Sequence, residues 1–397
     1  MPEAMIASVA RSPIGRAYKG SLIGERGDEL LLQMAQAALG AVPEFDPADL
    51  DEVLVGCALD SGELGGNIGR LIPVLLGLDG VPGFTLNRYC ASSLQTTRSA
   101  VHAIRVGDGH AYLSLGVESV SRVGDRGPDP HPDERNPRFP VFTAAEPWTD
   151  PRERGEMPDA FISMGETAEN VANSRGITRE QMDQYAFESQ QRAAQAAADG
   201  FWARDIVPVT RADGSVVSTD DSPRPGTTLE GLAALTPSFR PDGSITAGNA
   251  CPLNDGAAAV LILSEERAGQ LGVTPRARVV STAVSALSPE IMGLGTIEAA
   301  RRALAAASLT ADDIDLFEIN EAFAAQVIPT YRELGIPREK VNIMGGALAV
   351  GHPFGMSGAR ITSTLLNALE WTGGRYGLQT MCVAGGQGMA MVIERLS

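Results

Sequence analysis

Hydrophobic positions in the first 120 residues alternate between two periods. Short runs rich in Val, Ile, Leu and Ala, namely "AMIASVA", "DEVLVGCAL", "GFTLN" and "AYLSLGVESV", predict strands. Between them, "DELLLQMAQAALG" and "SSLQTTRSAVHAIRVGDG" carry apolar residues at helical spacing, and "NIGRLIPVLLGL" is helical at least in part. The first helix is expected to open on Asp28 as N-cap and to stop at Gly40, just past its end. This strand–helix alternation predicts a layered α/β fold.

The character changes from 121 to 250. Prolines and charges cluster in "GDRGPDPHPDERNPRFP" and "DDSPRPGTT". Between those clusters "SMGETAENVANSRG" and "TREQMDQYAFESQQRAAQAAADG" predict helices, the second opening on a Thr178–Gln181 capping box. This stretch is read as an insertion covering one face, and connections of that length are usually functional. The alternation then resumes. "AAAVLILS", "RARVVSTAVSAL", "DIDLFEI", "LQTMCVA" and "MAMVIER" predict strands. "TIEAARRALAAASL", "NEAFAAQVIPTYRELG" and "GARITSTLLNALEW" predict helices. The halves share an order, with "ADLDEVLVG" matched by "ADDIDLFEI", which suggests duplication of one unit. The expected organisation is an N-terminal half, 1–120, completed by a strand within 251–268. The insertion spans 121–250 and the C-terminal half 269–397. Ligands of such sheets bind beyond strand ends, so a site between the halves is natural.

Composition narrows the functional classes. With 397 residues, 44% hydrophobic and 20% charged, the chain can bury a substantial core. Its net charge of −17 argues against nucleic acid or an anionic membrane as partner. Cys57, Cys90, Cys251 and Cys382 form no C-x-x-C pair and match no zinc spacing, so no metal is expected. Reduced thiols in a cytoplasmic protein are the simpler reading. No secretory leader, transmembrane run or peroxisomal tripeptide is recognised.

Four stretches carry candidate chemistry. In "NRYCASSLQTT", Cys90 lies between a strand and a helix, and small neighbours leave its sulfur unshielded. A helix N-terminus there favours a thiolate by roughly 0.3–1 kcal/mol; packed core cysteine is the plain alternative. In "GHPFGMSGAR", His352 sits in a glycine-rich loop, either as a hydrogen-bonded loop residue or as a proton acceptor for a thiol. In "MCVAGGQG", Cys382 ends a strand at a turn whose N–H groups serve an oxyanion or simply close a hairpin. In "INEAFAAQ", Asn320 either caps a helix or orients a water.

Together, and in this order, these four stretches resemble the thiolase family over essentially the whole chain, with "MGETAENVA" and "TAGNACPLNDGAAAV" as further hallmarks. The resemblance implies a thiolase-like fold, two duplicated βαβαβ halves layered α/β/α/β/α with an inserted loop domain. It implies acyl exchange between CoA thioesters: 3-ketoacyl-CoA and CoA give acetyl-CoA and a shortened acyl-CoA, reversibly, through an acyl-cysteine. By resemblance, Cys90 is the nucleophile and His352 its activator. Asn320 holds a water in one oxyanion hole, Cys382 moves the α-proton, and the N–H groups of Cys90 and Ala384 form the second hole. CoA contacts fall by position on Arg224, Leu235, Phe239, Ala247 and Cys251, and the acyl pocket on Met164, Met292 and Phe323, for which core packing is the alternative. No metal or redox cofactor is needed, CoA and acyl-CoA being substrates, and the family implies a homodimer or homotetramer.

Several positions depart from the family pattern. Ser163 stands where synthetic members often have histidine, which tilts the reading toward degradative β-oxidation chemistry over acetoacetyl-CoA synthesis. Cys251-Pro252 replaces a common Ser-Gly, with possible loss of a pantetheine contact. Ser93 replaces a glycine after the nucleophile. Ala384 replaces a glycine and would tolerate positive φ poorly. Two rivals are weighed: a decarboxylating ketosynthase, against which Cys382 speaks, and a non-catalytic CoA-thioester binder, which should have lost Cys90, His352 or Cys382.

Overall fold

The computed structural model describes residues 2–123, 135–144 and 148–397. Most of the first proline-rich cluster, with His131, lies outside the described residues. The N-terminal half comprises β1 (Ala4–Arg11), β2 (Gly15–Arg16), α1 (Gly27–Gly40), β3 (Glu52–Cys57), α2 (Ile68–Leu75), β4 (Gly83–Leu86), α3 (Ser92–Val106) and β5 (Ala111–Ser119). The insertion holds α4 (Met164–Arg175), α5 (Arg179–Ala198), α6 (Phe201–Asp205), β6 (Val209–Thr210), β7 (Val216–Val217) and α7 (Leu229–Ala233). After β8 (Asn254–Ser264) and α8 (Glu265–Leu271) come β9 (Ala277–Ala286), α9 (Gly295–Ala307), β10 (Leu316–Ile319) and α10 (Ala324–Glu333). The chain ends with α11 (Ala347–Val350), α12 (Phe354–Thr372), β11 (Tyr376–Val383) and β12 (Gln387–Arg395).

The strands hydrogen-bond in the order β10-β11-β12-β9-β1-β8-β5-β3-β4. Three pairings recur in both halves. β3 runs parallel to β5, β5 antiparallel to β8 and β8 antiparallel to β1. In the same way β10 runs parallel to β11, β11 antiparallel to β12 and β12 antiparallel to β9. The repeat inferred from "ADLDEVLVG" and "ADDIDLFEI" is therefore a repeat of topology. The halves join where β1 meets β9, through only Met5↔Arg278 and Ile6↔Ala277.

Strand periodicity sorts side chains into layers. Along β8, Ala258, Val260 and Ile262 enter a central core with Leu94, Val101, Ile361 and Leu365 of α3 and α12. Their neighbours Ala257, Ala259, Leu261 and Leu263 enter an outer core with Leu30, Leu31 and Met34 of α1. Along β12, Met389, Met391 and Ile393 face the centre, while Ala390 and Val392 meet Ala299, Ala300 and Ala303 of α9. Two helices are thus sandwiched between the sheet halves, with α1 and α9 outside. Burying both faces explains why β8 and β12 read as continuous apolar runs.

The expected ends of α1 are corrected. Arg26 is the N-cap, and Asp28 lies in the first turn, where its carboxylate takes the Arg26 guanidinium at 2.6 Å. Gly40 stays helical, because Ala41 N–H still bonds the Ala37 carbonyl. The Thr178–Gln181 capping box of α5 is present. The insertion is locked to β1 by Arg11, fully buried, whose guanidinium bonds Asp205 at 2.8 Å and Asp220 at 2.6 Å. Among the described residues no helix is long and apolar enough to cross a membrane.

Candidate active site

The segment before α3 is shaped by its own polar side chains. Asn87 Oδ1 accepts the Tyr89 N–H at 2.8 Å, and Asn87 Nδ2 donates to the Ala58 carbonyl. Ser92 Oγ accepts the Arg88 N–H and donates to the Tyr89 carbonyl. This turn forces Tyr89 to a φ of 46°, a costly conformation for a bulky residue. Cys90 follows, half-buried, two residues ahead of α3. The backbone N–H groups of Cys90 itself and of Ala384 favour charge on its Sγ.

The expectation of a stabilised thiolate is corrected. Burial, and next the charge of Glu118, push the Cys90 thiol up to about 12, against which the two N–H groups act as the lowering influence. Cys90 precedes the helix rather than sitting on its first turn, so desolvation outweighs the dipole. Glu118 is itself fully buried and accepts the Ala58, Leu59 and Gly355 N–H groups at 3.0, 3.1 and 2.9 Å. It ties the segment after β3 to the first turn of α12, which follows His352. Burial raises its carboxyl to about 7.

Cys382 lies sealed in β11, paired with Gly388 across the β11–β12 hairpin. Burial, then the nearby Cys90 and Cys251 thiols, raise its pKa well above the usual value. Cys251 is raised by burial and by Cys90. Three thiols therefore share one neighbourhood. In the hairpin turn the positive φ falls on Gly385 and Gly386, not on Ala384, so the expected strain at Ala384 is absent. Tight hairpin and N–H donor are compatible readings of "MCVAGGQG".

His352 follows Gly351, whose φ of 113° and ψ of 168° only glycine adopts readily. Asn254 Oδ1 accepts the His352 N–H at 2.9 Å. The ring is buried; Nδ1 lies 2.5 Å from Ser357 Oγ and Nε2 3.3 Å from Asn320 Nδ2. Burial, and then Arg360, lower its pKa to about 3. Asn320 is fully buried and anchored by its N–H to the Thr380 carbonyl. Helix capping by Asn320 is corrected: α10 begins only at Ala324, with Phe323 as N-cap. Close packing brings the His352 and Cys90 segments together. A Cβ on Gly358 of α12 would stand 2.2 Å from Leu94 N of α3, and Ala359 N–H bonds Ser93 Oγ at 2.9 Å. Ser93 thus braces the two helices.

The other expected positions fall in two groups. Met292 and Phe323 are buried in one apolar cluster with Cys382, and Met164 packs partly buried against it. Arg224, Leu235, Phe239 and Ala247 are exposed on the insertion. Phe239 meets Phe323 edge-on at 6.3 Å, and Leu235 closes over Gly248, while Arg224 is held by its backbone, its N–H donating to Gln190 Oε1 and its carbonyl accepting from the Thr227 N–H and hydroxyl. Among the described residues no cluster of His, Cys, Asp or Glu could hold a metal ion.

Sequence reasoning passed over Glu118, Glu318, Ser357 and Arg360. Their signal was present: each charge interrupts an otherwise apolar or small-residue run, and a fully buried charge requires partners. Glu321, next to Asn320, has a structural role. Buried, it accepts hydrogen bonds from Tyr185, Ser189, Asn342 and the Leu348 N–H, fastening α5 behind the site.

Residues 4–266 match the model of the thiolase N-terminal domain and 273–395 that of the thiolase C-terminal domain. The chain belongs to the thiolase family, and is an acyltransferase acting between CoA thioesters. It is 42% identical over 404 residues to the β-ketoadipyl-CoA thiolase of Acinetobacter baylyi, covering all of both chains. It is 40% identical to the 3-ketoacyl-CoA thiolase of Pseudoalteromonas translucida, again over both full lengths. The human mitochondrial 3-ketoacyl-CoA thiolase in complex with CoA superposes with a TM-score of 0.87 at 35% identity, over 100% of this chain and 98% of that one.

Proposed function

We propose that the protein is a degradative 3-ketoacyl-CoA thiolase working by a ping-pong route through an acyl group on Cys90. The observation that carries this reading is the gathering of the Cys90, Cys251 and Cys382 thiols in one neighbourhood, with the Ala384 N–H favouring charge on the Cys90 sulfur and His352 held by Asn320 in the adjoining segment. In the proposed sequence His352 Nε2 takes the Cys90 proton and the sulfur attacks C3 of the 3-ketoacyl chain. The two N–H groups receive the resulting oxyanion. The C2–C3 bond breaks, its electron pair forms the enolate of acetyl-CoA, and Cys382 protonates the α-carbon. His352, with a water held by Asn320, faces the enolate oxygen. The CoA thiol then gives its proton to the Cys382 thiolate and its sulfur attacks the acyl-cysteine; the shortened acyl-CoA leaves, and the expelled Cys90 thiolate takes back the proton held by His352. Attacking and leaving groups are both thiolates, so the exchange is reversible.

Arg224, Leu235, Phe239, Ala247 and Cys251 are proposed CoA contacts, supported for the first four by their exposure on the insertion and for Cys251 by its place beside Cys90. Met164, Met292 and Phe323 are proposed to border the acyl group. The reaction needs no further cofactor. Cytoplasmic location and homo-oligomerisation are proposed as well. The latter is supported by the edge strand β4 and by Leu71, Val74 and Leu75 of α2, exposed by 43, 46 and 47%.

The test is thiolysis of a panel of 3-ketoacyl-CoA thioesters, followed at the enolate absorbance, with intact-mass analysis after denaturation. The panel runs from straight chains to β-ketoadipyl-CoA, because relatives bear both names. An acyl adduct that disappears in Cys90→Ser is expected. Undiminished turnover in that variant would sink the nucleophile assignment.

A further inference from the structure

Behind Asn320 lies a buried ion pair that the proposed chemistry does not itself use. Arg360 sits in α12 with no exposed surface; its Nη1 donates to Glu318 Oε1 at 3.1 Å and its Nη2 to Asn320 Oδ1 at 3.4 Å. Taking two charges out of water is expensive, and an apolar pair of similar volume is often as stable. The charged groups that act on Arg360 are Glu318, Arg11, Asp205 and Glu321. Only Glu318 is within ion-pair distance of it, and burial raises that carboxyl to about 8.

The consequence is a hydrogen-bond direction. A guanidinium has donors and no acceptor, so it fixes the oxygen of the Asn320 amide toward itself. The amide nitrogen is then the atom facing His352 Nε2 at 3.3 Å, and it too can only donate. Nε2 must present its lone pair. The opposite edge of the ring requires the same. Ser357 Oγ, 2.5 Å from Nδ1, has one hydrogen and spends it on the Pro353 carbonyl at 2.7 Å, so it accepts from Nδ1–H. Two independent chains of donors select one neutral tautomer, and the nearby guanidinium opposes protonation of the ring.

We propose that Arg360, clamped by Glu318, is a positioning residue that locks the Asn320 amide and holds His352 in the Nδ1–H tautomer with Nε2 unprotonated. This rests on the reading of His352 as the base for Cys90. A histidine locked in the other tautomer would carry a proton where it must receive one.

The experiment uses the double variant Arg360→Met with Glu318→Gln. Removing both charges avoids stranding one in the core, so the fold is expected to survive; circular dichroism and the elution volume check this. The chain has four histidines, so 15N-histidine spectra of the full-length protein are tractable, with His352→Asn as the assignment control. The wild type should show a pyrrole-type Nδ1 and a pyridine-type Nε2 at His352. The double variant should show a measurable share of the Nε2–H tautomer, Ser357 alone holding the rest, with kcat lower by roughly 10–100-fold and KM little changed. Arg360→Lys, which keeps the charge but loses the fork, should recover only part of both signals. A double variant that folds with an unaltered His352 spectrum overturns the proposal, whatever its rate. A mixture of tautomers with an unchanged kcat would uphold the positioning role and refute the base assignment instead.

Discussion

Gly358→Ala tests whether the contact between α3 and α12 sets the geometry of the site. The added methyl would lie 2.2 Å from Leu94 N, 2.7 Å from Leu94 Cβ and 2.9 Å from Leu94 Cα. Comfortable carbon contacts begin near 3.5 Å, so the helices must separate by about 1.3 Å. Leu94 cannot yield by changing rotamer, because its N, Cβ and Cα do not move with the side-chain dihedrals. The same separation stretches the Ala359–Ser93 hydrogen bond, now 2.9 Å. Overpacking of this kind costs about 1–3 kcal/mol of stability. Displacing His352 relative to Cys90 by about 1 Å costs on the order of 10²-fold in rate. Thermal unfolding and kcat/KM for thiolysis read the two effects separately. Gly40→Ala is the control: nothing lies within 4 Å of its Cβ, and a helical alanine there should stabilise by about 0.5–1 kcal/mol without changing the rate. If Gly358→Ala retained kcat/KM within about twofold, the inference that this contact positions the site would be wrong.

Other expectations follow from the titration of the site. With the thiol pushed up to about 12, alkylation of free Cys90 should accelerate about tenfold per pH unit from 7 to 10. A plateau near pH 8 would contradict a desolvated thiol. His352, lowered to about 3, stays neutral as the unfolded chain takes its proton near 6.5, so its stabilising contribution is present above 6.5 and lost as pH falls toward 3. Denaturation midpoints should therefore drop between pH 7 and 4 more in the wild type than in His352→Asn; parallel drops would contradict this. Cys382→Ser should slow α-proton exchange of acetyl-CoA in deuterated buffer while sparing acylation of Cys90, and equal loss of both would refute the divided roles. Ser163→His should shift preference toward acetoacetyl-CoA. It should also lose the N-cap bond that Ser163 accepts from Glu166 N–H at 3.4 Å, costing about 1 kcal/mol in a thermal melt. An unchanged chain-length profile would count against the assigned role of Ser163.

Elements with strong periodicity were legible because one local rule set them. The stretches Ala257–Leu263 of β8 and Met389–Ile393 of β12 are apolar at every position because both faces are covered, and α5 announces itself through Thr178 and Gln181. Cys90, His352, Asn320 and Cys382 stood out through the glycines and small residues around them. Helix ends were less legible where tertiary contacts decide: Asp28 has the chemistry of a cap, but Arg26 takes its carboxylate sideways. The protonation of the site was the least legible feature. The position of Cys90 near a helix suggested a thiolate, but only the folded chain shows the burial around its sulfur and the carboxylate of Glu118 that oppose ionisation. Arg360 was in plain view within "GHPFGMSGAR", yet its partner Glu318 is 42 residues away and comes to it only through the β10–β11 pairing.

The shifts at the site share a direction. Burial raises Cys90, Cys251 and Cys382 and lowers His352, so each rests neutral. A neutral resting site admits an apolar acyl chain without stranding an unpaired charge beneath it. Under the proposed chemistry, charge then develops only when the Cys90 proton moves to His352, and it develops on a sulfur where two N–H groups already favour it. Those donors need no reorganisation at that moment, which is the economical way to stabilise a short-lived anion in a dry site. Glu118 strengthens the same bias, since its field opposes a lasting thiolate but not a neutral thioester on the same sulfur. The resting thiol and the acyl-cysteine are then the two favoured states of Cys90, with the thiolate confined to the passage between them. A cysteine that is hard to ionise is therefore consistent with a nucleophile, provided that its proton leaves in the same event in which its substrate arrives.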